Sequence, residues 1–138
     1  MSRARPFVPV RQWEDRRQLR GLAGERAAIE YLTACGWQLE AHRFRHGRHD
    51  LDLVLRRGRL VAFVEVKTRR SDRCGSAVES VSALKRRLVE RVAVWWRLRH
   101  GRPGDVYRFD LVAVTDRGGG RYEVEHLADA WRMEWSPC

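Results

Sequence analysis

The 138-residue chain predicts an α/β fold, a mixed central sheet flanked by helices in the order α-β-β-β-α-β-β. Two segments carry helical spacing of apolar residues, five shorter ones alternate apolar and polar positions, and glycine-bearing turns separate several of the latter. The length suits about one domain, expected to span 19–131, with a basic, flexible arm at 1–18 and a tail at 132–138.

Residues 1–18 are Arg-rich, contain Pro6 and Pro9 and have no sustained period, which predicts an extended or disordered arm. Leu19 to Cys35 predicts the first helix, closed by Gly36 in the left-handed position that favours glycine. Its apolar stripe carries Leu22, Ile29 and Leu32, and Glu25 falls on that stripe, an inward acid that needs a reason. Trp37 to Arg45 predicts a strand and His46-Gly47-Arg48-His49 a turn. The next two strands run from Asp50 to Lys67, with Arg56-Arg57-Gly58-Arg59 as the turn of an antiparallel hairpin. Thr68 to Ala77 reads as a loop. Ser80 to about His100 predicts the second helix, with a stripe of Val81, Leu84, Leu88, Val92 and Trp95, stopped by Gly101, Pro103 and Gly104. Tyr107 to Thr115 and Tyr122 to Leu127 predict the last two strands. No helix follows Gly118-Gly119-Gly120, which therefore reads as a hairpin turn and not a phosphate cradle. Trp95 and Trp96 read mainly as core, with stacking on an unpaired base as the alternative.

Lys and Arg number 28 against 18 Asp and Glu, a formal charge of +10. Such an excess points to a polyanionic partner, because clustered cations bind phosphates with release of counterions; a solvated, Arg-biased surface is the plainer explanation. Cys35, Cys74 and Cys138 are odd in number, far apart and without a CxxC pair, which suggests a reducing cytosol and argues against a disulfide framework or zinc site. The N-terminus has no signal-like apolar stretch and no run approaches the roughly 18 residues of a membrane span, so a cytoplasmic protein with no membrane partner is expected.

The chemistry concentrates in Asp50–Lys67. Alternation along a strand puts Asp50 and Asp52 on one face and Leu51, Leu53 and Leu55 on the other, while Glu65 and Lys67 share a face of the next strand. The hairpin brings Asp52 towards Glu65. Two carboxylates and a lysine converging where burial is expected need partners or a metal. Mg²⁺ binds through one or two carboxylates plus waters and substrate oxygens, and a neighbouring lysine can orient or deprotonate the attacking water, so Asp52, Glu65 and Lys67 suit phosphodiester hydrolysis. A purely structural ion-pair network is the other reading of these three residues. His42, His46 and His49 lie near two aspartates, but their spacing fits no closed metal site and they read as surface residues.

Asp52 followed by Glu65-Val66-Lys67 resembles the D…ExK core of the PD-(D/E)xK nuclease superfamily, whose restriction-endonuclease-like topology matches the element order. Within it the chain resembles the YraN family of small bacterial proteins, similar to archaeal Holliday junction resolvases. The resemblance rests on GLAGERAAIEYL at 21–32, HDLDLV at 49–54, VAFVEVKTR at 61–69, GSAVESVSALK at 75–85, RFDLVAV at 108–114 and EHLADAW at 125–131. It implies that Asp52, Glu65 and the Val66 backbone carbonyl bind Mg²⁺ or Mn²⁺, that Lys67 serves water and phosphate, and that Glu25 points at the metal from the first helix. Asp50 stands where the family has Glu, and His49 where it has Gly, which leaves Asp50 a supporting role. Asp110 matches the family's RFD signature, with a salt bridge to Arg108 or Arg69 as an equal reading. Lys85, Arg69 and Arg45 are expected to contact nucleic acid.

The expected function is that of a metal-dependent endonuclease acting on DNA, including branched or junction DNA. The alternative is a nucleic-acid-binding module that keeps a nuclease-like fold with little or no catalysis. An adaptor for a protein partner rests only on Trp131 and Trp135, expected to be exposed. A homodimer is expected by analogy with resolvases that cut two symmetric strands.

Overall fold

The computed structural model describes residues 9–70 and 81–133; within the first helix it describes the side chains of residues 19 and 21–34. The elements are α1 (Pro9–Ala34), β1 (Gln38–His46), β2 (His49–Arg57), β3 (Leu60–Arg69), α2 (Ala83–His100), β4 (Val106–Gly118) and β5 (Arg121–Trp131). The strands form one sheet in sequence order, antiparallel except for the parallel pair β3–β4. A parallel pair requires a crossover, and α2 lies within it.

Each sheet face carries one helix. Ala28 and Leu32 of α1 pack with Trp37, Leu53, Leu55, Ala62, Val64, Val112 and Val114, while Val89, Val92, Ala93 and Trp96 of α2 pack with Val54, Val61, Phe63, Phe109 and Leu111. Burial on both faces explains why the middle of β3 and β4 reads as nearly unbroken apolar sequence. The expected α/β class and element order are those observed.

The details depart in four places. Helix α1 starts at Pro9, not Leu19, because proline is at home in the first turn and the arginines that follow are good helix formers. Of the expected arm, residues 1–8 lie outside the described residues, as do 134–138 of the expected tail. Helix α2 turns a different face inward: Val89, Val92, Ala93 and Trp96 are buried, whereas Leu84 and Trp95 are exposed. Two apolar stripes run one residue apart on this helix, and the aromatic floor decides between them, Phe63 meeting Trp96 edge-on at 5.8 Å. Strands β4 and β5 extend past their expected ends, and Trp131 is buried, stacked on Phe109 at 5.2 Å with its indole N–H donating to Glu90. It offers no exposed anchor for an adaptor. Arg56, expected in a turn, is instead a buried strand residue that forks Asp105 at 2.7 and 2.9 Å and reaches Glu40, fastening β2 to the α2–β4 link.

Candidate active site

The β2–β3 ladder runs from Arg57–Leu60 to Leu53–Val64 and stops there. Beyond it side chains take over the backbone groups. The Asp52 N–H donates to Glu65 Oε2 at 3.2 Å, and the Val66 N–H donates to Asp52 Oδ2 at 2.8 Å. The strands open around the two carboxylates, and strict alternation breaks with them. Leu51 packs with Val54 on the α2 face, whereas Leu53 and Leu55 pack on the α1 face, so the expected common face for all three leucines is not formed. The expected meeting of Asp52 with Glu65 is present.

A third member arrives from α2. Ser82 caps this helix by accepting a hydrogen bond from the Lys85 N–H at 3.1 Å, which fixes the first turn. Lys85 stands four residues before Val89 and so begins the stripe that faces the sheet; its Nζ lies 3.3 Å from Glu65 Oε1. The rotation of α2 relative to the expected stripe is what places Lys85 there. Lys67, expected at the carboxylates, is exposed on β3 and forms no ion pair among the described residues. Lys85, expected to contact nucleic acid, is the lysine that touches Glu65.

Burial first, then the Val66 hydrogen bond in opposition and the charge of Glu25 in support, push the Asp52 carboxyl up to about 6. Burial and the charge of Asp52 push Glu65 up to about 7, against the pull of Lys85. Both groups resist ionisation because burial and neighbouring carboxylate charge outweigh the pull of Lys85 and, at Asp52, of Arg43.

Glu25 is buried, as its place on the stripe predicts, and its charge reaches Asp52. Its oxygens, however, are held by β1: His42 Nε2 at 2.6 Å, Arg43 Nε at 3.0 Å and a second Arg43 nitrogen at 3.3 Å. Arg43 has a φ of 60°, uncommon for a residue with a side chain, downstream of a register shift between Leu39 and Ala41. Sequence reasoning gave neither residue this role, and no local motif marks it. The helix comes this close because Gly24 has no side chain: a Cβ there would lie 1.9 Å from Thr68 Oγ1. Asp50 is engaged by Arg45 at 2.8 Å, and that hydrogen bond first of all holds its carboxyl below the usual range. Arg69 ends β3, half-buried.

Asp110 belongs to a separate cluster. Arg108 forks it at 2.8 and 2.8 Å, His126 approaches at 2.6 Å and the Asp129 N–H donates at 2.9 Å. Burial alone would push this carboxyl up; those hydrogen bonds outweigh it and hold it low. Of its two expected roles, the salt bridge to Arg108 is the one formed.

Among the described residues no three His, Cys, Asp or Glu side chains converge as a complete metal cage. Mg²⁺ needs no such cage, because it commonly retains waters and binds protein through one or two carboxylates. The Asp52–Glu65 pair fits that demand in donor type, and its mutual repulsion is what a divalent cation relieves.

The sequence profile of the uncharacterised protein family UPF0102 matches residues 24–114, from the glycine beside Thr68 to the end of the β4 core. A UPF0102 protein of Symbiobacterium thermophilum is 39% identical over 111 residues, covering 80% of this chain and 94% of its own. One from Geotalea uraniireducens is 33% identical over 124 residues, 88% of this chain and 98% of its own, and one from Anaeromyxobacter dehalogenans is 39% identical over 123, 89% and 91%. No helix among the described residues is long and apolar enough to cross a membrane. Matched from α1 through β4 and aligned with these relatives over most of its length, the chain belongs to the UPF0102, or YraN-type, family.

Proposed function

We propose that this protein is a divalent-metal-dependent endonuclease that hydrolyses phosphodiester bonds in DNA. The reading is carried by the Asp52–Glu65 pair in the opening between β2 and β3, with Lys85 beside it, on a chain of net charge +10. Asp52, Glu65 and the Val66 carbonyl would hold Mg²⁺ or Mn²⁺. The ion, when bound, polarises the scissile phosphate and makes a bound water more acidic. The chain's own residues do the rest. Asp52 and Glu65 fix their carboxylates through backbone N–H groups, so the donors are positioned before substrate arrives. Lys85 supplies positive charge at Glu65 and at the incoming phosphate. Lys67, exposed on β3, and the surface arginines give the phosphate backbone its cationic track.

The test is a cleavage panel of duplex, nicked, flapped and four-way junction DNA with Mg²⁺ and with Mn²⁺. Cleavage is expected only with metal and is lost in Asp52→Ala and Glu65→Ala while circular dichroism shows both folded. If both variants cut as well as the unaltered protein, the assignment is wrong.

A second reading, a nucleic-acid-binding module without useful catalysis, is favoured by two observations: Glu25 is tied to His42 and Arg43, and Lys67 is exposed and forms no ion pair with the carboxylates among the described residues. Calorimetry with Mn²⁺ alone separates the two. Saturable binding lost in Asp52→Ala belongs to the nuclease, and salt-sensitive DNA binding with no heat from Mn²⁺ belongs to the module.

A further inference from the structure

Rotation of α2 places Trp96 in the core and leaves its neighbour Trp95 outside, 41% exposed. The indole is not alone there. His46, at the end of β1, stacks on it with ring centroids 4.2 Å apart and planes 22° apart. The pair borders a cavity of about 400 Å³ between the β1–β2 turn and α2, where Gly47, Arg48, His49 and Arg91 also line the wall. No carboxylate among the described residues lines it. An aromatic platform walled by guanidinium groups is complementary to a nucleotide: the π-face takes a base of any sequence, and the arginines take the flanking phosphates.

The cavity also stands at a usable distance from the candidate chemistry. Arg91 and Trp95 follow Lys85 by six and ten residues, about 9–15 Å along the helix axis. Along β2, His49 precedes Asp52 by three residues, about 10 Å of strand. Either path spans roughly three to four nucleotides at the 3.4 Å rise of stacked DNA. In an intact duplex the bases are stacked on one another, so only an unpaired nucleotide can extend the His46–Trp95 stack.

We infer that the His46–Trp95 cavity is a binding site for an unpaired base, so that the protein recognises the junction between a duplex and a single strand. The inference rests on the nucleic-acid part of the proposed function and names its substrate class. The duplex engages the carboxylate opening, and the displaced strand runs along α2 to the aromatic pair.

Fluorescence anisotropy in EDTA tests it with three labelled DNAs sharing one duplex: blunt, with a flap of about four unpaired nucleotides, and with the same flap made abasic. The intact flap is expected to bind about tenfold tighter than the blunt duplex, and the abasic flap to fall back to the duplex level. Trp95→Ala should lose the same roughly tenfold preference and keep duplex affinity within about twofold, while Trp95→Phe retains most of it. If abasic and intact flaps bind equally, or Trp95→Ala weakens duplex and flap by one common factor, the site is not a base platform. A change in sedimenting mass in Trp95→Ala with flap preference intact assigns the face to a second copy of the chain and also overturns the inference. Should Trp95→Ala fail to fold, the abasic comparison on the unaltered protein decides alone. Without metal no cutting occurs, so a protein that prefers intact flaps but never cleaves refutes only the nuclease reading. One that cleaves but ignores the bases refutes only this inference.

Discussion

Replacing Asp52 by Asn should stabilise the metal-free protein, and only at neutral to alkaline pH. Raising the Asp52 carboxyl from its ordinary 3.8 to about 6 corresponds to about 3 kcal/mol of cost to the ionised form, at 1.36 kcal/mol per pH unit. The group binds its proton more tightly folded than unfolded, so its stabilising contribution is complete below about pH 4 and is lost as pH rises through about 6. Asn carries no charge and keeps an oxygen that can accept the Val66 N–H, and it removes the negative charge that helps to push Glu65 up. Thermal and urea unfolding in EDTA should therefore give equal stabilities near pH 4 and a gain of up to about 3 kcal/mol for Asp52→Asn near pH 8, roughly 5–10 °C in Tm. Adding Mn²⁺ at about a thousandfold excess over its Kd should reverse the order, because an ion held by Asp52 stabilises the unaltered protein by about 4.1 kcal/mol and would lose that ligand in the variant. An Asn variant less stable than the parent near pH 8, or a difference that does not change with pH, refutes the reasoning.

Lys85→Met removes the cation that pulls Glu65 down, so the pH at which Mn²⁺ binding is half-lost should move upward, measured by calorimetry across pH. Gly24→Ala drives a methyl group into Thr68 and should cost about 1–3 kcal/mol in urea unfolding, partly recovered in the double variant with Thr68→Ala. Asp105→Ala leaves the buried Arg56 with Glu40 alone as its ion-pair partner among the described residues and should cost about 3–5 kcal/mol, whereas Arg56→Met combined with Asp105→Leu costs less than that single change, because the buried cation is gone and the partly exposed Glu40 keeps Arg102 at 3.8 Å.

The sheet was legible because alternation and turn chemistry act locally. Burial on both faces gave β3 and β4 their apolar runs, and Gly58 marks its hairpin with a φ of 62°. The face of α2 was not legible by the same means. Leu84, Leu88 and Trp95 make as good a helical stripe as Val89, Val92 and Trp96, and the choice depends on Phe63, a residue some thirty positions away that a helical pattern cannot see. β5 ran past its expected end for a related reason: Asp129, with a φ of 54°, looks like a strand breaker until its N–H is seen to serve the buried Asp110.

The candidate site divides along the same line. The hairpin brought Asp52 towards Glu65, and an inward stripe marked Glu25 for burial, both legible from spacing. Which lysine meets the carboxylates was not a matter of spacing. Lys67 is two residues from Glu65 in sequence yet exposed, whereas Lys85 is twenty away and touches it, because a helix docked through Val89 and Trp96 carries Lys85 onto the opening. The break in alternation at Asp52 has a cause of equal weight. If β2 and β3 stayed paired through residues 52 and 65, backbone carbonyls would satisfy the N–H groups and both carboxylates would be free to turn away. By accepting those N–H groups themselves, Asp52 and Glu65 hold the strands apart and stay locked in the gap they create. Fixation and repulsion therefore meet in one place: the backbone N–H groups that position the two acids favour their ionised forms, yet burial and neighbouring negative charge in that gap outweigh this help. Any cation that binds there meets donors already arranged, and the strain it relieves adds to its affinity.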